Sequence, residues 1–162
     1  VLAWGSDDFA AIQAAVGAET LDAAALANMT ATDDLTINED GVTYKGLELI
    51  LGGGKFKFGQ NYGVASQEGD KPTRMQFGGA GNTGKQVAVF EVPAAGTLKI
   101  DAVSSSKTEE RPLVVAIDGK NLVTNGSFET LPVGVAPVVV ELDEPTGSVV
   151  LDYSDNVKSE AY

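Results

Sequence analysis

The feature that most constrains the fold is a change of period at Leu35. From there on, short runs rich in β-branched and aromatic residues follow one another: LTIN (35–38), VTYKGLELIL (42–51), KFKFG (55–59), TRMQFG (73–78), QVAVFEV (86–92), TLKIDAV (97–103), PLVVAID (112–118), NLVT (121–124), PVVVELD (137–143) and SVVLDYS (148–154). Several alternate strictly. In KFKF the two phenylalanines, Phe56 and Phe58, face one way and the lysines the other, and in TLKIDAV Leu98, Ile100 and Ala102 share a face. Period two is the mark of half-buried antiparallel strands, one side on a core and one toward water. The connectors carry turn chemistry: Gly52-Gly53-Gly54, Pro93-Ala94-Ala95-Gly96, Asp118-Gly119, Asn125-Gly126 and Pro145-Thr146-Gly147. About ten strands at this spacing predict an all-β chain, an antiparallel β-sandwich with jelly-roll topology favoured over a closed barrel.

Before Leu35 the pattern is different. Residues 9–29, FAAIQAAVGAETLDAAALANM, are dominated by helix formers, with apolar residues at Ile12, Val16, Leu21, Ala25 and Met29. Ser6-Asp7-Asp8 ahead of Phe9 is expected to supply an N-cap and acidic residues that suit a helix start. Gly17 is expected to split the region into two short helices or turns. Residues 1–34 are therefore read as a leading segment with short helices packed on the sandwich of residues 35–162, in one domain overall.

Residues 76–86, QFGGAGNTGKQ, contain both G-x-G-x-x-G (Gly79, Gly81, Gly84) and G-x-x-x-x-G-K (Gly79, Gly84, Lys85). Both motifs need a helix after the loop, whose free N–H groups and dipole hold the phosphate. Here QVAVFEVP follows, which alternates and stops at a proline, so a strand is expected. Gln86 stands where a phosphate loop needs Ser or Thr for magnesium. The segment is read as a glycine-rich hairpin or strand crossing, and no nucleotide is expected as a partner.

The 162 residues contain no cysteine and no histidine. That excludes Cys–His and Ser–His–Asp catalysis and the usual zinc sites. The net charge of −12 argues against nucleic acid, whose phosphates need a basic surface, and against anionic membranes. No apolar run is long enough for a transmembrane helix, so no membrane insertion is expected. The chain starts at Val1, the trace that removal of a leader would leave, and a location outside the cytoplasm is expected: secreted, periplasmic or cell-surface. Carboxylates recur as Asp7-Asp8, Asp33-Asp34, Glu109-Glu110, Asp143-Glu144 and Asp152 with Asp155. Neighbouring carboxylates on a strand point to opposite faces, and none of these fits a calcium loop of the EF-hand type. They read as solvated surface. A structural calcium in an acidic loop is the one cofactor left open.

Three residues stand out as candidate ligand contacts. Tyr62 lies in the longest connector, GQNYGVASQEGDKP (59–72), where an exposed aromatic could stack on a sugar face. Arg74 and Arg111 are the only arginines, and a guanidinium fork suits a uronate or sulfate. Trp4, the single tryptophan, is expected to pack the leading segment onto the sandwich. Phe56, Phe58, Phe77 and Phe90 are expected in the core. No catalytic residue is expected.

Three stretches together resemble a known family: LTINEDG, then TRMQFGGAGNTGKQVAVFEVPAAGTLKIDAVSSSKTEERPLVVAIDGK, then VVVELDEPTGSVVLDYSDNVKSEAY. They are similar to the N-terminal β-sandwich domain of secreted pectate-lyase-like and related polysaccharide-degrading proteins of gut Bacteroidetes. There a strand ending in Gly-Gly leads to a core of the form fevp..gtl.v.a.s.s, and an apolar strand and tail close the domain. The likeness spans residues 35–162 and is densest over 73–119. It departs from the family in its long Ala-rich 9–29 segment and in ending at Tyr162, where the family's last strand would begin. The resemblance implies an extracytoplasmic, non-catalytic module of carbohydrate-binding type that binds a polysaccharide or oligosaccharide or serves a polysaccharide-degrading enzyme. The other readings are a structural or protein-interaction module of a surface assembly, and an enzyme built on a cleft with paired carboxylates or an Arg/Lys base beside calcium.

Overall fold

The computed structural model describes residues 2–60, 73–78, 85–92, 96–102, 111–117, 120–121, 129–131, 136–142 and 148–152, with side chains for residues 2–60, 73–78, 85–92 and 98–100. The order of elements is α1 (Ser6–Val16), β1 (Thr20–Leu21), α2 (Ala23–Leu26), β2 (Leu35–Asn38), β3 (Gly41–Tyr44), β4 (Leu47–Ile50), β5 (Lys55–Gly59), β6 (Arg74–Gly78), β7 (Val87–Glu91), β8 (Gly96–Ala102), β9 (Arg111–Ile117), β10 (Lys120–Asn121), β11 (Glu129–Leu131), β12 (Ala136–Leu142) and β13 (Ser148–Asp152). The expected all-β character is present, and every strand pairing among the described residues is antiparallel. One sheet runs β1-β5-β6. A larger one runs β10-β9-β13-β7-β4-β3-β2, with β11 also on β9. A third pair is β12-β8.

The leading segment departs from expectation in two ways. The helix α1 begins at Ser6, so its N-cap is Gly5 rather than the Ser6-Asp7-Asp8 cluster. Asp8 sits inside the first turn, and its carboxylate accepts the Gly5 N–H at 2.9 Å. Carboxylates at Asp7 and Asp8 still favour the helix start through the dipole. The helix ends, as expected, at Gly17 (φ 72°), whose N–H reaches the Gln13 carbonyl at 2.9 Å. The second departure is β1. Thr20 and Leu21 pair with Lys57 and Phe56 of β5, and the Phe58 N–H donates to the Glu19 carbonyl at 2.7 Å. The segment therefore contributes a strand as well as helices. Along α1, Phe9, Ile12 and Val16 recur at helical spacing. Ile12 is fully buried and the other two pack against the same core.

The run 42–51 is a hairpin rather than one strand. Lys45 (φ 46°) and Gly46 (φ 85°) form its two-residue turn. Positive φ at both positions matches the twist of the flanking strands, and only Gly adopts it without cost. β11 was also unanticipated, and β10 is the two residues Lys120–Asn121 where a longer run was expected; residues 122–124 lie outside those described. The connectors Asp118-Gly119, Asn125-Gly126 and Pro145-Thr146-Gly147 lie outside them too.

One hydrophobic cluster joins the two larger sheets and the leading helix. It contains Ile12, Leu21, Leu35, Val42, Tyr44, Leu47, Leu49, Leu51, Phe56, Phe58, Phe77, Ala88, Phe90 and Val92. All four phenylalanines expected in the core are there. Phe56 and Phe77 are direct cross-strand partners, their rings 5.2 Å apart and tilted at 55°. That geometry contributes about 0.5–1.5 kcal/mol beyond the area the rings bury. Trp4 behaves as expected. It stacks on Phe90 at 5.2 Å, and its Nε1–H donates to the Lys45 carbonyl at 3.2 Å.

Candidate functional site

The three candidates from the sequence fall in different places. Tyr62 lies outside the described residues, on the segment that joins β5 to β6. Arg74 opens β6, opposite Gly59 at the end of β5, so it stands at the base of that segment. Its side chain is half-buried. Arg111 opens β9, opposite Leu131 of β11, in the larger sheet. The described strands therefore put Arg74 and Arg111 in separate sheets, and they are not cross-strand neighbours.

Register shows what Arg74 does share a face with. In an antiparallel pair, residues directly opposite one another project to the same side, and successive residues alternate. Phe56 opposite Phe77 and Phe58 opposite Met75 face the core. The other side of the same strands carries Lys55 opposite Gly78, Lys57 opposite Gln76, and Gly59 opposite Arg74. Thr20 of β1 extends it beyond Lys57. The seven positions are thus Thr20, Lys55, Lys57, Gly59, Arg74, Gln76 and Gly78.

Local geometry follows from these identities. Lys55 and Lys57, two residues apart, are separated by about 7 Å along the strand. Lys57 and Gln76 have Cβ atoms about 5 Å apart, and Arg74 stands diagonal to Lys57 at about 7–8 Å. Gly78 forms a floor for the lysine stems. A Cβ placed there would be 3.0 Å from the Lys55 Cγ and 3.3 Å from the Lys57 Cγ. The two lysines are half-buried and Gln76 is fully buried. Long cationic side chains lay their methylenes on a surface and keep the charge at its edge. The face carries two ammonium groups, one guanidinium fork, a hydroxyl and an amide, the last of them, on Gln76, fully buried. The lysines were legible in KFKF as a shared side. Gln76 and Thr20 were missed because only register places them there.

The glycine-rich segment leaves from the other end of the same hairpin. Residues 79–84 lie outside those described, but both flanks are placed. The expected strand follows it as β7. Gln86 is buried at 2% exposure, and its Nε2–H donates to the Gly78 carbonyl at 2.9 Å. That bond ties the segment's two ends together. On the other side, Gly52 (φ 55°) and Gly54 press against Lys85 and Gln86. A Cβ on Gly52 would collide with the Lys85 carbonyl, and one on Gly54 with the Gln86 amide oxygen. The base of the segment is built by packing on this triple-glycine turn.

A second polar cluster surrounds the Lys45 turn. The Lys45 ammonium lies 3.8 Å from the Asp8 carboxylate. The Tyr44 hydroxyl beside it, with a smaller contribution from Asp34, holds its pKa above the ordinary lysine value. The Lys45 side chain is exposed, and such pairs are weak. Among the described residues no three carboxylates converge as a metal site. Glu109, Glu110, Asp143, Glu144 and Asp155 lie outside them, and Asp152 is described by its backbone alone. A scan against protein-family models finds no family that matches this chain, and a search of curated proteins finds none that matches it.

Proposed function

We propose that this chain is a non-catalytic β-sandwich module, jelly-roll in topology, that binds carbohydrate or serves as an accessory to a polysaccharide-degrading enzyme outside the cytoplasm. The single observation that carries the reading is the polar face of β1-β5-β6. An ordered row of hydrogen-bonding side chains lies on one side of a sheet whose other side is core. Sugars are bound by polar groups aimed at their hydroxyls and by aromatic rings on their apolar faces. Arg74 supplies the polar chemistry at the base of the segment that carries Tyr62, the aromatic candidate, and Arg111 supplies a second contact from the larger sheet. The resemblance to the N-terminal domains of secreted pectate-lyase-like proteins points the same way.

The aromatic inventory narrows where stacking can come from. Of the chain's eleven aromatic residues, Tyr44, Phe56, Phe58, Phe77 and Phe90 are buried, and Trp4 and Phe9 pack against the core. Tyr62, Phe128, Tyr153 and Tyr162 are the remaining sources of a platform. Calcium, if the module uses it, belongs to the acidic loops.

The test is affinity electrophoresis of the whole chain against soluble polysaccharides, including pectins and glycosaminoglycans, each with calcium and with chelator. Retardation by one class is expected. Retardation lost with chelator would bring the acidic loops into the site. No retardation by any polymer would overturn the reading in favour of a structural or protein-interaction module.

A further inference from the structure

We infer that the outer face of the larger sheet is a docking surface for a short amphipathic protein segment, apolar along one side and flanked by Lys or Arg. The inference stands apart from the glycan reading and gives the module a second partner, a protein.

Sequence pattern is the first sign. β5 alternates as a one-sided strand should, Lys55-Phe56-Lys57-Phe58. β7 does not. Val87-Ala88-Val89-Phe90 is apolar at every position, and so are Val149-Val150-Leu151 of β13 and residues 113–117 of β9. Unbroken apolar runs belong to strands covered on both sides. Register sorts these residues. Leu49, Ala88 and Phe90 face the core at 7% exposure or less. Ile50, Val87 and Val89 alternate with them, fall on the other side and keep partial exposure. Val150 stands opposite Val89, and Ala116 opposite Val150. Val114, two residues from Ala116, takes the same side. Six apolar positions are thus contiguous across β4, β7, β13 and β9, turned away from the core.

The frame around them is polar and acidic. Thr36, Asn38 and Thr43 lie on the β2-β3 side, where the Asn38 Nδ2–H donates to the Thr43 hydroxyl at 2.8 Å. Glu48 stands between Thr43 and Val89, and Asp152 opposite Val114. Glu91 shares this side but already has a partner within the chain, and Gly41, opposite Ile50, is buried, so the patch excludes both. Among the described residues no paired position on this face is Lys or Arg.

Size and charge select the occupant. Four strands about 4.8 Å apart, with two positions about 7 Å apart along each, give a patch of about 19 Å by 14 Å. An apolar patch with a polar rim marks a protein contact. Its area, about 270 Å² by that spacing, is about a third of the 800 Å² or so that each partner of a stable dimer buries. A second copy would also bring the same acids and a net charge of −12. One short segment of opposite charge fits both the area and the rim.

The experiment measures fluorescence anisotropy of a labelled amphipathic Leu-Lys peptide of about 14 residues, long enough as a helix to cross the patch, titrated with the whole chain. A Leu-Glu peptide of the same pattern tests the charge. Val87→Thr/Val89→Thr makes the stripe polar and keeps side chains suited to strands. Glu48→Gln removes a carboxylate beside it. Leu2→Ser and Glu19→Gln make the same kinds of change at exposed positions elsewhere. The inference predicts saturable binding of the Leu-Lys peptide, about tenfold weaker in the double variant and about threefold weaker in Glu48→Gln. Leu2→Ser and Glu19→Gln leave it unchanged, and the Leu-Glu peptide is not bound. Equal binding of the two peptides would overturn the inference, and so would no binding of the Leu-Lys peptide. Unaltered binding in the double variant would overturn it, because the peptide would then be held elsewhere. So would a double variant that circular dichroism finds unfolded, because the valines would then serve the chain's own packing. A wild-type chain that sediments as a dimer, dissociated by the double substitution, would give the face to a second copy and overturn it too. Retardation by polysaccharides is expected to be equal in all these proteins, so the two readings fail separately.

Discussion

The two faces of the β5-β6 hairpin differ as much as two sides of one strand pair can. One side carries Phe56, Phe58 and Phe77, all at 5% exposure or less. The other carries Lys55, Lys57, Arg74 and Gln76. The backbone, the register and the twist are shared, so the difference lies in side chains alone. The core face is held by burial and by ring geometry, terms that grow with area and tolerate little change in shape. The polar face is packed as well, with Gln76 fully buried and Lys55, Lys57 and Arg74 half-buried, but its polar groups contribute less per residue than the buried rings opposite.

The comparison breaks most readily from the core side. Phe56→Ala removes a fully buried ring and its partner contact with Phe77, and should cost about 3–5 kcal/mol, read as a lowered denaturant midpoint at unchanged slope. Such a loss approaches the whole stability of many domains. Next comes the glycine turn. Gly52→Ala forces a side chain into a left-handed backbone and against the Lys85 carbonyl, at about 1–3 kcal/mol, measured the same way. Gln86→Ala strips the Gly78 carbonyl of its donor in a buried position and should cost about 1–3 kcal/mol. Loss of protection at the amides flanking the glycine-rich segment in hydrogen exchange would localise it. Trp4→Ala removes a half-buried stack and a hydrogen bond, about 1–2 kcal/mol. The polar face sharpens the contrast at the small end: Lys55→Gln should shift stability by about 1 kcal/mol or less. Lys45 sits lowest. Its pKa is raised in the folded state, so its contribution is complete below the unfolded lysine value of about 10.5 and fades as pH rises through the folded one. Lys45→Met should therefore leave the melting temperature near neutral pH almost unmoved, and any gap from the wild type should close in strong alkali.

Much of this was legible in the residues, and what was not has a physical reason. Alternation alone places Phe56 and Phe58 inside and both lysines outside. The hairpin inside 42–51 also left a trace: buried positions run Val42, Tyr44 and then Leu47, Leu49, a slip of one that two extra turn residues produce. A Lys-Gly turn is less conspicuous than Asn-Gly, which is why the run reads as one strand. β1 carries no periodic signal because it is two residues long in an Ala-rich context. Its place is set by pairing with β5. Register is a property of pairs of strands, so Arg74 opposite Gly59, and Gln76 beside Lys57, had no signature in either strand by itself. The helix cap shifted from Ser6 to Gly5 because Asp8 reaches back to the Gly5 N–H, a bond that competes with the expected arrangement. Tyr62 and the Arg111 side chain remain candidates from residue type, whereas the lysines are candidates from placement.

The most direct test of one hairpin with two unlike faces is the denaturant midpoint of the wild type, of Phe56→Ala and of Lys55→Gln, measured side by side. The account predicts a loss of about 3–5 kcal/mol in Phe56→Ala and of about 1 kcal/mol or less in Lys55→Gln. Losses of equal size in the two variants would contradict it, because the lysine side would then hold the fold as firmly as the rings do.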